Sequence, residues 1–148
     1  AIDIRQFDHL MDTQLTLALM ISVWTCDSAA FILGTLFGKK KIFPAVSPKK
    51  SWVGSISGLI AATAVMVLFS IQGWLGDYFS LNDALVFGLI AGVFGQLGDF
   101  TESLLKRDAG VKDSGTLLAG HGGVLDRFDS LIFAMPLSYL YIHFLMHI

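Results

Sequence analysis

The sequence predicts an all-α, polytopic membrane domain of about four transmembrane helices with two cytoplasmic loops that carry the motifs, and three observations carry that prediction. Hydrophobic residues make up 54% of the 148, with a mean hydropathy of +0.67, a surplus that the interior of a soluble domain has no room for. The apolar residues fall in runs of roughly 20, the length that crosses a hydrocarbon core of about 30 Å at about 1.5 Å rise per residue. The charged residues, only 15% of the chain, collect between those runs.

The first helix is expected at Leu15 to Gly34 and is interrupted by Asp27. A carboxylate at that depth is costly unless a cation or a polar cavity receives it, so Asp27 reads as functional. The second, Val53 to Trp74, contains an uncharged stretch from Leu59 to Phe69 and is bracketed by Trp52 and Trp74 as interfacial anchors. The third, Ala84 to Leu105, places Gly88, Gly92 and Gly95 at spacings that admit a neighbouring helix, and carries Asp99 and Glu102 in its last turns. Ser130 to Met146 is the fourth. Cys26, the single cysteine, excludes an internal disulfide and reads as a small packing residue. With no repeat or low-complexity stretch, residues 1–148 read as one membrane-embedded domain. The chain opens on Ala1 without a signal-peptide pattern, which leaves room for further helices upstream.

The basic residues set the orientation. Nine of the ten lie in two loops: Lys39, Lys40, Lys41, Lys49 and Lys50 in the first, and Lys106, Arg107, Lys112 and Arg127 in the other. The segments Ala1 to Thr13 and Gly76 to Asp83 hold only Arg5 against Asp3, Asp8, Asp12, Asp77 and Asp83. By the positive-inside rule both basic loops are cytoplasmic and both termini lie outside. The net charge of −2 gives no preference for nucleic acid, and none is expected as a partner.

Eleven charged or imidazole side chains crowd the 31 residues from Asp99 to Asp129, unlike a passive linker between two spans. Asp126 and Asp129 are spaced i,i+3 at a helix start, so both carboxylates point to one side and can share a hard cation such as Mg2+. Asp99 and Glu102 repeat the spacing at the end of the preceding helix, and folding the hairpin back would bring the two pairs together. The metal ligands are therefore expected to be Asp99, Asp126 and Asp129. A solvated acidic face is the plainer alternative. The interleaved Lys106, Arg107, Lys112 and Arg127 weigh against it, because acids that hold metal beside bases that hold phosphate is the arrangement phosphoryl and nucleotidyl transfer requires. Gly120, Gly122 and Gly123 around His121 would let backbone N–H groups approach an anion, or would simply make a tight turn. In the first loop, Lys49 and Lys50 are flanked by Ser47 and Ser51 and open a helix, which suits phosphate. Lys39 to Lys41 read as an anchor near anionic headgroups.

These residues resemble the phosphatidate cytidylyltransferases, or CDP-diacylglycerol synthases. The stretch from Ser103 through Lys106-Arg107, Lys112-Asp113 and Gly120-His121-Gly122-Gly123 to Asp126-Arg127-Phe128-Asp129 matches that family's signature in order and spacing. Asp27 to Phe31 with Gly34 and Gly38, and Ser47 to Trp52 with Gly54, agree as two further blocks. Val53 stands where the family usually has a glutamate, and Ala119 where it usually has a proline. The resemblance implies that CTP and phosphatidate react to give CDP-diacylglycerol and pyrophosphate, with one or two Mg2+ ions, at the cytoplasmic face of a membrane, the bacterial inner membrane. It implies catalytic roles for Asp99, Lys106, Arg107, Asp126, Arg127 and Asp129. Substrate contacts fall to Asp27, Ser47, Lys49, Lys50, Lys112, Asp113, Gly120, His121, Gly122 and Gly123. His121 reads equally as a structural residue or a phosphate contact. Membrane lipids are the remaining partner, and the chain is compatible with a homodimer. Two other readings stand beside this one: a related enzyme acting on an isoprenoid or other lipid phosphate, and an ion-coupled transporter using Asp27 and the helix-end acids.

Overall fold

The computed structural model describes residues 4–44, 46–76, 79–110 and 125–144, with side chains described from residue 13 onward and, in the last helix, from residue 129. Every regular element among them is helical. Helix α1 covers Ile4–Phe37, α2 Trp52–Ile71, α3 Leu81–Leu89, α4 Gly95–Asp108 and α5 Leu125–Phe144. Between α3 and α4 the chain does not break but widens into one π-helical turn, Ile90–Phe94.

Local chemistry explains where the helices start. Ser51 has extended backbone angles, and its Oγ accepts the Gly54 N–H at 3.2 Å, capping α2. Ser80 and Asp83 cap α3 reciprocally: the Asp83 N–H donates to Ser80 Oγ at 3.2 Å while the Ser80 N–H donates to Asp83 at 3.0 Å. The loop between α1 and α2 is pinned by an antiparallel bridge between Lys41 and Ser51, in which the Ile42 N–H donates to the Lys50 carbonyl and the Trp52 N–H to the Lys40 carbonyl, both at 3.1 Å.

Among the described residues three helices are long and apolar enough to cross a membrane: Thr13–Phe37, Trp52–Ile71 and the continuous run Leu81–Asp108. The fourth expected span is also a helix, α5, with Asp126, Arg127 and Asp129 in its first turns, and over its described residues it is not among the helices long and apolar enough to cross. The expected ends shift too. Helix α1 runs on to Phe37, so Asp27 lies about three turns from its end rather than two.

Helix α2 packs on α1 and on α3, and α5 packs on α4. The interior is filled around Phe87 and Met66 by smaller side chains, among them Ala18, Val23, Cys26, Ala62 and Ala134. Without a hydrophobic drive between helices in lipid, close van der Waals fit has to hold them, and small residues permit it. Gly88 and Gly92 do so: a Cβ on either would lie 2.5 Å from Thr63 or Leu59 of α2. Gly95 is roomier, with its nearest neighbour at 3.7 Å. Large apolar side chains such as Phe31, Leu36, Ile60 and Ile132 point outward, which a lipid environment accommodates.

Candidate active site

The capped start of α2, the charged end of α4 and the start of α5 meet at one end of the bundle. Helices α4 and α5 cross there at backbone contact, because Gly98 has no side chain: a Cβ would stand 2.5 Å from the Asp129 carbonyl oxygen and 3.1 Å from the Ser130 Cα. That closeness places Asp129 of α5 against Asp99 and Glu102 of α4, and a carboxylate oxygen from each of the three lies within 4.8 Å of the others. Asp129 and Glu102 are 8% and 7% exposed. The Ser130 N–H donates to Asp129 Oδ1 at 2.6 Å, and the Ser130 hydroxyl donates to the same oxygen at 3.3 Å and to Asp27 Oδ2 at 3.5 Å.

Two lysines answer the acids. Lys50, aimed inward by the bridged loop, pairs with Asp99 at 2.8 Å and lies 3.8 Å from the centroid of the Phe100 ring. Lys106 pairs with Glu102 at 3.1 Å across one helical turn. The Arg107 Nε donates to the Val46 carbonyl at 3.4 Å, tying the end of α4 to the first loop.

Behind Lys50 is a polar cleft of about 200 Å3, lined by Asp27, Ser47, Lys49, Lys50, Ser51 and Asp99 among others. Of the expected site residues, the structure therefore gathers Asp27, Ser47, Lys49, Lys50 and Asp99 around one cavity, and Asp99 with Asp129 in one acidic cluster. Lys39 to Lys41 line neither pocket at this end of the bundle and are exposed. Asp126 and Arg127 lie in the first turn of α5 with their side chains outside the description, and Lys112, Asp113, Gly120, His121, Gly122 and Gly123 lie outside the described residues. Val53 is exposed in the first turn of α2 and does not line the cleft.

Two residues at this end of the bundle were not among the expected site residues. Glu102 converges with Asp99 and Asp129, and its i,i+3 relation to Asp99 was the signal for it. Gln96 is the other: its Nε2 donates to the Ser55 carbonyl at 3.0 Å and to Cys26 Sγ at 3.5 Å, joining three helices beneath Asp99. A lone amide within a span was its only mark in the sequence.

Helices long and apolar enough to cross a membrane, with a charged cleft, clustered carboxylates and facing lysines at one end, define an integral membrane protein with a polar site at the end of its bundle. A family profile described as the cytidylyltransferase family matches residues 7–145, and the chain belongs to that family. It is 42% identical over 139 residues to a phosphatidate cytidylyltransferase of Bacillus subtilis, covering 93% of this chain and 50% of that protein. It is 46% identical over 131 residues to the enzyme of the same name from Haemophilus influenzae, covering 86% of this chain and 45% of the relative. A Staphylococcus haemolyticus phosphatidate cytidylyltransferase is 46% identical over 121 residues, 78% of this chain and 44% of its own. The chain spans about half the length of these relatives.

Proposed function

We propose that the protein is a Mg2+-dependent phosphatidate cytidylyltransferase acting at the cytoplasmic face of the bacterial inner membrane. The observation that carries the reading is the meeting of Asp99, Glu102 and Asp129 beside Lys50, where α2, α4 and α5 come together. In the proposed reaction an oxygen of the phosphatidate phosphate bonds to the α-phosphorus of CTP while the bond from that phosphorus to the departing pyrophosphate breaks. A phosphomonoester with a second pKa near 6 is largely ionised at neutral pH, so no side chain has to remove a proton. His121 then serves as a phosphate contact or a structural residue.

The cluster fits a hard divalent cation. Lysines pair with Asp99 and Glu102, the buried Asp129 brings a third carboxylate within 4.8 Å of both, and oxygen ligands are what Mg2+ takes. Asp99, Glu102 and Asp129 would hold it, with Asp126 as the further ligand expected from the sequence, and one or two ions belong to this reading. Mg2+ bound there supplies charge neutralisation to the reacting phosphates. Ser130 keeps the Asp129 carboxylate aimed at its partners. Lys49, Lys50 and Ser47 receive phosphate oxygens in the cleft, whose other wall carries Asp27. Lys106, Arg107 and Arg127, with Lys112, Asp113 and the Gly120-His121-Gly122-Gly123 segment, complete the nucleotide side.

The test is to incubate the purified protein in lipid–detergent micelles with CTP labelled at the α-phosphate, Mg2+, and either phosphatidate or an isoprenyl phosphate. Label should pass into a lipid product with phosphatidate, with one pyrophosphate released per product. Product from the isoprenyl phosphate alone would contradict the substrate assignment, and folded protein giving none with either lipid would contradict the activity.

A further inference from the structure

Beside the polar cleft lies a larger concavity, of about 580 Å3, which the reaction described above does not use. Its walls are apolar, with Phe43 from the first loop, Ile56 and Leu59 from α2, and Val93, Leu97 and Leu104 from the third span. Two residues, Ser55 and Gln96, line both this groove and the polar cleft, and the 3.0 Å hydrogen bond between them fixes the seam. Phe100 stands at the same boundary. The Lys50 ammonium lies 3.8 Å from its ring centroid, and the Phe43 ring meets it edge-on at 5.8 Å.

We propose that this groove seats a hydrocarbon chain of the lipid phosphate whose headgroup enters the cleft. The inference rests on the cytidylyltransferase reading of the cleft. The join between the compartments argues for the occupant: a charged cleft that presents Lys49, Lys50 and Ser47, and an apolar trough that shares two lining residues with it, match a molecule with a phosphate at one end and an alkyl chain beside it. A surrounding bilayer lipid needs no groove, and an apolar helix laid there would leave the adjoining lysines of the cleft unaddressed. Moving a chain from bilayer into the groove exchanges one apolar surrounding for another, so the hydrophobic effect adds little affinity. The groove's contribution is direction. A seated chain fixes how the phosphate presents its oxygen, and misplacement of a reacting group by about 1 Å can cost about 100-fold in rate.

The experiment uses phosphatidate carrying a diazirine midway along one acyl chain, photolysed with the purified protein in phosphatidylcholine nanodiscs, with adducts mapped by mass spectrometry. Adducts are expected on Ile56, Leu59, Val93, Leu97 or Leu104, reduced by excess unlabelled phosphatidate and not by further phosphatidylcholine of the same chain length. Adducts elsewhere, or equal competition by both lipids, overturn the groove as a substrate site. A second arm fills the trough: Leu97→Trp should lower kcat/KM for dioleoyl phosphatidate about ten-fold or more while changing that for dibutanoyl phosphatidate by less than about two-fold. Equal loss with both lipids overturns the proposal. Turnover of labelled CTP in the same samples separates the two readings. Product formed with adducts outside the groove sinks the groove alone, whereas phosphatidate-competed adducts in the groove without any product sink the activity alone.

Discussion

The Lys50 ammonium is held between the Asp99 carboxylate and the Phe100 face, and the bridge between Lys41 and Ser51 fixes the backbone that aims it. Lys41, on the same bridge, is exposed, so one short loop sends neighbouring cations to different surroundings. Lys50→Gln should raise the KM for the lipid phosphate by about 10- to 100-fold, the worth of a charge-assisted hydrogen bond of roughly 1.5–3 kcal/mol. Neutralising Lys39, Lys40 and Lys41 together should leave that KM within about two-fold and reduce membrane insertion or yield instead. Steady-state kinetics on the surviving protein decide it, and equal kinetic damage from both sets would refute the division. That Lys49 and Lys50, and not Lys39 to Lys41, line the cleft was legible in the sequence, because hydroxyls and a helix start flank the first pair and not the lysine run. The place of Glu102 in the acidic cluster was less so: i,i+3 spacing shows that Asp99 and Glu102 share a side, but only the α4–α5 crossing brings both close to Asp129.

The crossing depends on one glycine, and two neighbouring glycines of α4 make a matched pair. In Gly98→Ala the new methyl meets backbone atoms of Asp129 and Ser130, which cannot swing aside as a flexible side chain would. Overpacking of about 1–3 kcal/mol outweighs the gain in helix propensity of up to about 1 kcal/mol, so a lower Tm is expected together with loss of transfer activity. Gly95→Ala, with 3.7 Å to its nearest neighbour, should hold or raise Tm, by up to about 1 kcal/mol in stability. Thermal unfolding followed by tryptophan fluorescence checks both, and a Gly98→Ala protein as stable and active as its parent would mean that the helices do not cross this closely. Apolar runs revealed that these helices exist, since hydropathy reports where lipid begins. They did not reveal the ends: α1 continues through the acidic segment before Thr13, which is helical although it is not apolar. Nor did they reveal the π turn at Ile90–Phe94, whose packing against Leu59 of α2 is a tertiary matter that no local pattern announces.

For the molecule as a whole, the charge distribution predicts a single orientation. Single cysteines at Lys40 and Gly115 should be labelled from the cytoplasmic side of sealed vesicles and one at Tyr78 from the other side, against a low background because Cys26 is buried. Any of the three labelled from the opposite face would overturn the topology. The all-α membrane architecture was readable from composition and run length, and the site was readable as a set of charged blocks far apart in sequence. What brings them together was not: the α4–α5 crossing, the bridged first loop and the Gln96 link exist only once the helices pack. The claim that this packing builds a divalent-metal nucleotidyl-transfer site is tested most directly by titrating Mg2+ against the formation of labelled lipid from CTP and phosphatidate, in the parent, in Asp129→Asn and in Asp108→Asn. Asp108 is exposed at the end of α4 and outside the acidic cluster, so it serves as the control. Product should rise and saturate with Mg2+ in the parent and in Asp108→Asn, and be absent from folded Asp129→Asn at every Mg2+ concentration. Folded Asp129→Asn that turns over CTP at near the parent rate with the same Mg2+ response would contradict the account.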